Sequence, residues 1–250
     1  MRALHRKERA PKVFYPLVLS AAIWAAFPGA AAAFVPVQDF DFCSPDSYPN
    51  AFTDIRRGDQ INDDYANCTL NLTGSTGSAG DMWITVVDGA EGTPTPQCVS
   101  LTAQVLIKKY DNRKAVGFVT NLSGGGKGLF LGLYDNGNTD AMTLSTFDAS
   151  TGKLGTTVAN KSLGSKIQEN VWYQLELDIC NNGAHLVGQA SVEPFPPAGG
   201  PACTGAQACL DIDTALPAGI SVDGRIGIAG YAKSSFVDSS VKNFSWDSNP

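Results

Sequence analysis

Histidine is almost missing from this chain: there are two, and only His185 lies beyond the first dozen residues. Ser-His-Asp catalysis needs a positioned imidazole and zinc sites draw on His and Cys, so both chemistries are poorly supplied. No Cys-x-x-Cys, Gly-x-Ser-x-Gly or Gly-x-x-x-x-Gly-Lys occurs, which removes the commonest zinc, esterase and phosphate-loop signatures. His185 itself sits beside Gln189 and Ser191 on the polar side of its run and reads as a surface residue. Glutamate is scarce, five residues against nineteen Asp. Asp favours turns and caps over helix interiors, so few long helices are expected. Charged residues are 17% of the chain, below the roughly 25% usual in soluble proteins.

The N-terminus is rich where the rest is poor. Arg2, Arg6, Lys7, Arg9 and Lys12 precede an apolar run from Val13 to Phe27 and the small residues Ala31-Ala32-Ala33. That order is the pattern of a cleaved signal peptide, residues 1–33, and Pro16 with the short run argues against a retained anchor. No later segment is apolar and long enough to span a bilayer as a helix. The remaining residues 34–250 hold 13 basic and 23 acidic side chains, a net charge of −10. Nucleic acid is a poor partner for such a surface. All six Cys, at 43, 68, 98, 180, 203 and 209, fall in this part. An even count in an exported chain implies disulfides, and proximity pairs Cys43 with Cys68 and Cys203 with Cys209, leaving Cys98 with Cys180. A secreted or periplasmic location follows.

Period-two alternation dominates from residue 99 onward. Val99 to Ile107 alternates, and Ala115 to Leu122 follows a polar turn, which predicts a hairpin. Leu129, Leu131 and Leu133 face one way and Phe130 and Tyr134 the other, and Asp135-Asn136-Gly137-Asn138 is a tight turn into Ala141 to Phe147. A weaker strand spans Thr156 to Leu163. Val171, Tyr173, Leu175, Leu177 and Ile179 point inward while Trp172, Gln174, Glu176 and Asp178 point outward, and Asn181-Asn182-Gly183 turns the chain back into His185 to Val192. Residues 194–219 read as a long loop rich in Pro, Gly and Ala, restrained by Cys203–Cys209. Gly224 to Tyr231 and Val237 to Trp246 close the chain, and Phe40 to Phe42 and Met82 to Val87 read as edge strands. About ten strands joined by turns predict an all-β fold, a two-sheet antiparallel jelly-roll sandwich with disulfides, as a single domain over 34–250.

Asp39-Phe40-Asp41-Phe42, Val99 to Val105 leading to Gly117-Phe118-Val119, Val171 to Asp178, Gly224 to Ile228 and Val241 to Ser245 together resemble the concanavalin A-like (laminin G-like) jelly rolls of bacterial secreted proteins. The resemblance covers residues 39 to 248 and implies a sugar-recognising surface on the concave sheet. Glycosidases of that superfamily carry a Glu-x-Asp-x-x-Glu strand, which maps onto Glu176 and Asp178 but meets Asn181 at the third position. Asn is no general acid, so the pair needed for ordinary glycoside hydrolysis is incomplete.

Three functions stay open: a non-catalytic carbohydrate-binding or extracellular recognition domain, a glycoside hydrolase or lyase using Glu176 and Asp178, or an envelope-structural or adhesion domain. For the first, a polysaccharide or glycan partner would meet Phe130, Tyr134, Trp172, Gln174, Glu176, Asp178, Arg225 and Tyr231, provided these strands share one sheet. Cover from the 194–219 loop explains the same aromatics equally well. No cofactor is required. Asp135, Asn136, Asn138 and Asp140 crowd oxygen donors into one turn that suits a structural calcium, as laminin G-like domains often hold, although hairpin turns are rich in such residues anyway.

Overall fold

A computed structural model describes residues 38–44, 48, 51–75, 80–87, 98–108, 113–135, 139–181, 183–196, 208–221, 224–233 and 236–247. All of them belong to the compact unit Phe34–Pro250. They form fifteen strands: β1 (Gln38–Phe40), β2 (Phe52–Arg56), β3 (Ile61–Asp64), β4 (Thr69–Ser75), β5 (Asp81–Val87), β6 (Cys98–Ile107), β7 (Lys114–Leu122), β8 (Lys127–Asp135), β9 (Ala141–Asp148), β10 (Lys153–Ser162), β11 (Trp172–Asn181), β12 (His185–Pro194), β13 (Ala208–Ala215), β14 (Arg225–Ala232) and β15 (Phe236–Asp247). No helix among the described residues is long and apolar enough to cross a membrane.

Two antiparallel sheets make a sandwich. One runs β13-β12-β11-β6-β15-β4-β3 with β1 added beside β15, and the other runs β10-β9-β8-β7-β14-β5-β2. Between them lies the main apolar core, to which Leu101, Ala103 and Val105 of β6, Tyr173, Leu175 and Leu177 of β11, Val116 and Phe118 of β7 and Leu129, Leu131 and Leu133 of β8 all contribute. Each strand sends alternate side chains there, as the pleat requires. Cys43–Cys68 and Cys98–Cys180 are bonded, the second joining directly opposed residues of β11 and β6. Cys209 is also disulfide-bonded, while the Cys203–Cys209 pairing lies outside the described residues.

Several expectations change. β6 and β7 are not a hairpin: β6 pairs β11 and β15, β7 pairs β14 and β8, and the chain crosses between sheets after Ile107. The run Met82 to Val87 is an interior strand, flanked by β14 and β2 and buried throughout. The 194–219 segment contains β13, whose Leu210 and Ile212 alternate with exposed Asp211 and Asp213 and pair with β12. Three further strands, β2, β3 and β4, precede residue 80.

The seven-stranded sheet is apolar on both faces. Its second face carries another buried cluster, including Met82, Ile84, Val86, Val119, Phe130 and Phe147, so β5, β7 and β8 read as near-continuous apolar runs. What closes over this face is the sheet itself. Arg56 stands on β2, at one edge, yet its guanidinium donates to the carbonyls of Ala149, Ser150 and Thr151, at 3.3, 3.1 and 3.2 Å, in the turn between β9 and β10 at the other edge. The two margins therefore meet, and the sheet curls into a trough with the second cluster inside.

Asp81 completes this clasp. Its carboxylate, 6% exposed, accepts from Arg56 Nε at 2.5 Å and from Arg57 Nη2 at 2.6 Å. Gly152 lets the turn sit against the clasp: its φ is +68°, and a Cβ there would lie 1.9 Å from Asp81 Oδ1. Burial alone would raise the Asp81 pKa, but the hydrogen bonds from Arg56 and Arg57 prevail and hold its carboxyl below the usual range.

Candidate functional site

The eight side chains expected to meet a ligand do not share a sheet. Trp172, Gln174, Glu176 and Asp178 lie on β11, in the eight-stranded sheet, whereas Phe130 and Tyr134 on β8 and Arg225 and Tyr231 on β14 lie in the seven-stranded one. The premise of one continuous surface is thereby corrected. Strand alternation shows which residues of one strand share a face, while the partner strand is set by long-range pairing.

On the eight-stranded sheet the outward row is polar and already engaged. Ser191 Oγ donates to Glu176 Oε2 at 3.2 Å, and Ser100 Oγ donates to Asp178 Oδ1. Lys242 Nζ sits 4.3 Å from the centroid of the Trp172 ring and 5.9 Å from that of Phe195, so an ammonium already packs on one face of the indole. Asn181 does not join Glu176 and Asp178: it is buried and takes the alternate side of β11, where its Oδ1 accepts from Gly183 N at 2.9 Å to close the turn. Glu176→Gln is expected to change the unfolding free energy by less than about 1 kcal/mol, since an amide oxygen still accepts from Ser191. Paired urea melts of the two proteins check this.

Of the turn donors expected to suit calcium, Asn136 and Asn138 lie outside the described residues. Asp140 is buried and accepts from the Ile167 amide, tying down the segment after β10, and Asp135 is fully buried opposite Lys114 in the β7–β8 ladder. Among the described residues no three His, Cys, Asp or Glu side chains gather as a metal site. His185 Nδ1 lies 3.3 Å from Asp213 Oδ1 at the exposed end of the β12–β13 pair.

The trough of the seven-stranded sheet holds the remaining four, unequally. Phe130 is fully buried in the second cluster and forms its floor rather than a surface. Arg225 opens β14 and Tyr231 lies six residues on, on the order of 20 Å along an extended strand. Tyr134 and Tyr231, in contrast, come together, ring centroids 6.3 Å apart, with Phe130 6.2 Å behind Tyr134. Gly132 makes room for this: a Cβ there would fall 2.6 Å from Tyr134 Cε2 and 2.7 Å from Phe130 Cε1.

Around the two tyrosines opens a groove of about 460 Å³. Arg113 and Lys233 stand at it, and Thr143, Ser145, Thr157 and Asn160 of β9 and β10 supply hydroxyls and an amide, with Thr143 Oγ1 donating to Asn160 Oδ1 at 2.6 Å. Leu154 adds an apolar patch. The Tyr134 hydroxyl is buried and has no hydrogen-bond partner among the described residues. Burial, aided by the neighbouring Tyr231, pushes its pKa far up, so it stays a neutral donor. Burial likewise raises Tyr231, against the pull of the Arg113 guanidinium. The sequence reading named both tyrosines among its expected contacts and did not name the polar residues that line the groove with them. The outward alternation of Thr143 and Ser145 against Met142 and Leu144 was the available signal.

No protein-family model matches this sequence, and no curated protein matches it either. Solved structures share its fold. A protein of unknown function, SO2946, from Shewanella oneidensis MR-1 superposes with a TM-score of 0.54 at 12% identity, covering 96% of each chain. A GH43 glycoside hydrolase engineered for both endo-xylanase and exo-arabinofuranosidase activity gives 0.55 at 13% identity, over 93% of this chain and 44% of that one. A bifunctional GH43-CE protein from Bacteroides eggerthii gives 0.50 at 9%, over 85% of this chain and 26% of that one. This chain thus spans less than half of either hydrolase chain. What they share with it is the two-sheet sandwich.

Proposed function

We propose that this chain is an exported glycan-recognition domain of the concanavalin A-like kind, without catalysis of its own, and that its ligand lies in the Tyr134–Tyr231 groove. The observation that carries the reading is the Tyr134 hydroxyl, buried at the groove with no hydrogen-bond partner among the described residues. A buried donor left unmade costs about 1–3 kcal/mol, and a ligand oxygen placed there would recover it. Sugars suit the rest of the lining, because their apolar faces pack on aromatic rings while their hydroxyls need the mixed donors and acceptors that Thr143, Ser145, Thr157 and Asn160 provide. The sandwich fold is also found within two chains described as GH43 proteins, which supports a carbohydrate setting at the level of fold. Residues 1–33 would direct export and be removed, and the disulfides fit an oxidising compartment.

A panel of soluble polysaccharides titrated against the purified protein, with product release followed in the same samples, tests this. The expected result is retention of at least one polysaccharide without products. Tyr231→Ala should abolish the retention and Trp172→Ala should leave it intact. Products would contradict the non-catalytic reading, and loss of retention in Trp172→Ala alone would move the site to the other sheet.

A further inference from the structure

The groove that the glycan reading uses also carries an unusual charge. β7 and β14 pair so that Lys114 opposes Ala232, and one step further the Lys233 amide donates to the Arg113 carbonyl at 3.1 Å. Two cationic side chains therefore leave adjacent backbone positions beside the groove. Both are exposed, and neither makes an ion pair among the described residues. Like charges held side by side repel, and residues 34–250 carry 23 acidic side chains that could answer them. Among the described residues, none that lines the groove is Asp or Glu. The nearest carboxylate in register, Asp81 opposite Ala232, is committed to Arg56 and Arg57, and Asp135, whose carbonyl accepts the Arg113 amide, keeps its side chain buried opposite Lys114.

We propose that the groove takes an acidic saccharide, with the anionic group of one sugar residue seated between Arg113 and Lys233 and its ring against Tyr231. Arg113 offers a planar fork for a carboxylate or sulfate, Lys233 adds a mobile point charge, and the Tyr134 hydroxyl donates to a ring substituent deeper in. The inference rests on the groove being the glycan site, but it adds a charge requirement that a neutral glycan would not satisfy.

Calorimetric titration of the purified protein tests both separately. The probes are oligogalacturonate, oligoglucuronate and oligomannuronate, the methyl esters of each, carrageenan oligosaccharides and neutral galactan and glucan oligosaccharides. At least one acidic probe should bind ten-fold or more tightly than its neutral counterpart, with affinity falling as salt rises. A uronate preferred over its ester identifies the anion as a carboxylate, and carrageenan preferred over the uronates identifies it as a sulfate ester. Arg113→Gln and Lys233→Gln should each weaken that probe about five-fold, with thermal midpoints unchanged because both side chains are exposed. Equal binding of acid and ester, preference for neutral probes, or full affinity in the double variant would overturn the acidic ligand while leaving the glycan reading. Binding of no saccharide at all would overturn both.

Discussion

Asp81→Asn is expected to lower the unfolding free energy by about 2–4 kcal/mol, because it leaves Arg56 and Arg57 facing a neutral amide where a carboxylate had received both. In a domain of this size that is a fall of about 5–10 °C in thermal midpoint. The figure is below that of a fully buried pair because the arginine side chains are 24% and 38% exposed. The pH dependence carries a sign. Asp81 has a folded-state pKa held below its unfolded value of about 4, so its stabilising effect is complete above that value and is lost as pH falls through the lower, folded one. The variant should therefore show a flatter acid limb in its pH–stability profile. An unchanged midpoint and an unchanged acid limb would mean that the sheet margins are held together without the clasp.

The second large effect concerns Tyr134. Removing its hydroxyl with Tyr134→Phe should stabilise the free protein by about 1 kcal/mol, or roughly 2–4 °C, since it deletes a buried donor that has no partner among the described residues. The same change should weaken the bound glycan about ten-fold, the value of one good hydrogen bond in a desolvated site. Opposite movements of stability and affinity separate a residue kept for recognition from one kept for packing. A lower midpoint with unchanged affinity would assign Tyr134 to the interior alone.

The strands that sequence patterning found best are those with one polar side. In β11 the outward Trp172, Gln174, Glu176 and Asp178 and the inward Tyr173, Leu175, Leu177 and Ile179 make the period plain, and Asn181-Asn182-Gly183 marks the hairpin into β12. In β8 the sides of Phe130 and Tyr134 were equally legible, but not their burial, because alternation says nothing about what covers a face. That cover depends on Arg56 meeting a turn almost a hundred residues later. The double apolarity of Leu129 to Tyr134 was its trace in the sequence. β13 was hidden for a different reason: Ala208 to Ala215 alternates, but Pro, Gly and Ala before and after it made the segment read as a loop. Arg113 and Lys233 stand 120 positions apart, beside polar turns, and nothing local announces that β7 and β14 bring them together.

The measurement that bears most directly on the proposed site is amide chemical-shift mapping of the protein with whichever saccharide it retains. Shifts should cluster on Tyr134, Thr143, Asn160 and Tyr231 with Arg113 and Lys233 beside them, leaving β11 and β12 unmoved. A cluster around Trp172, Glu176 and Lys242 instead would contradict the account and place recognition on the eight-stranded sheet.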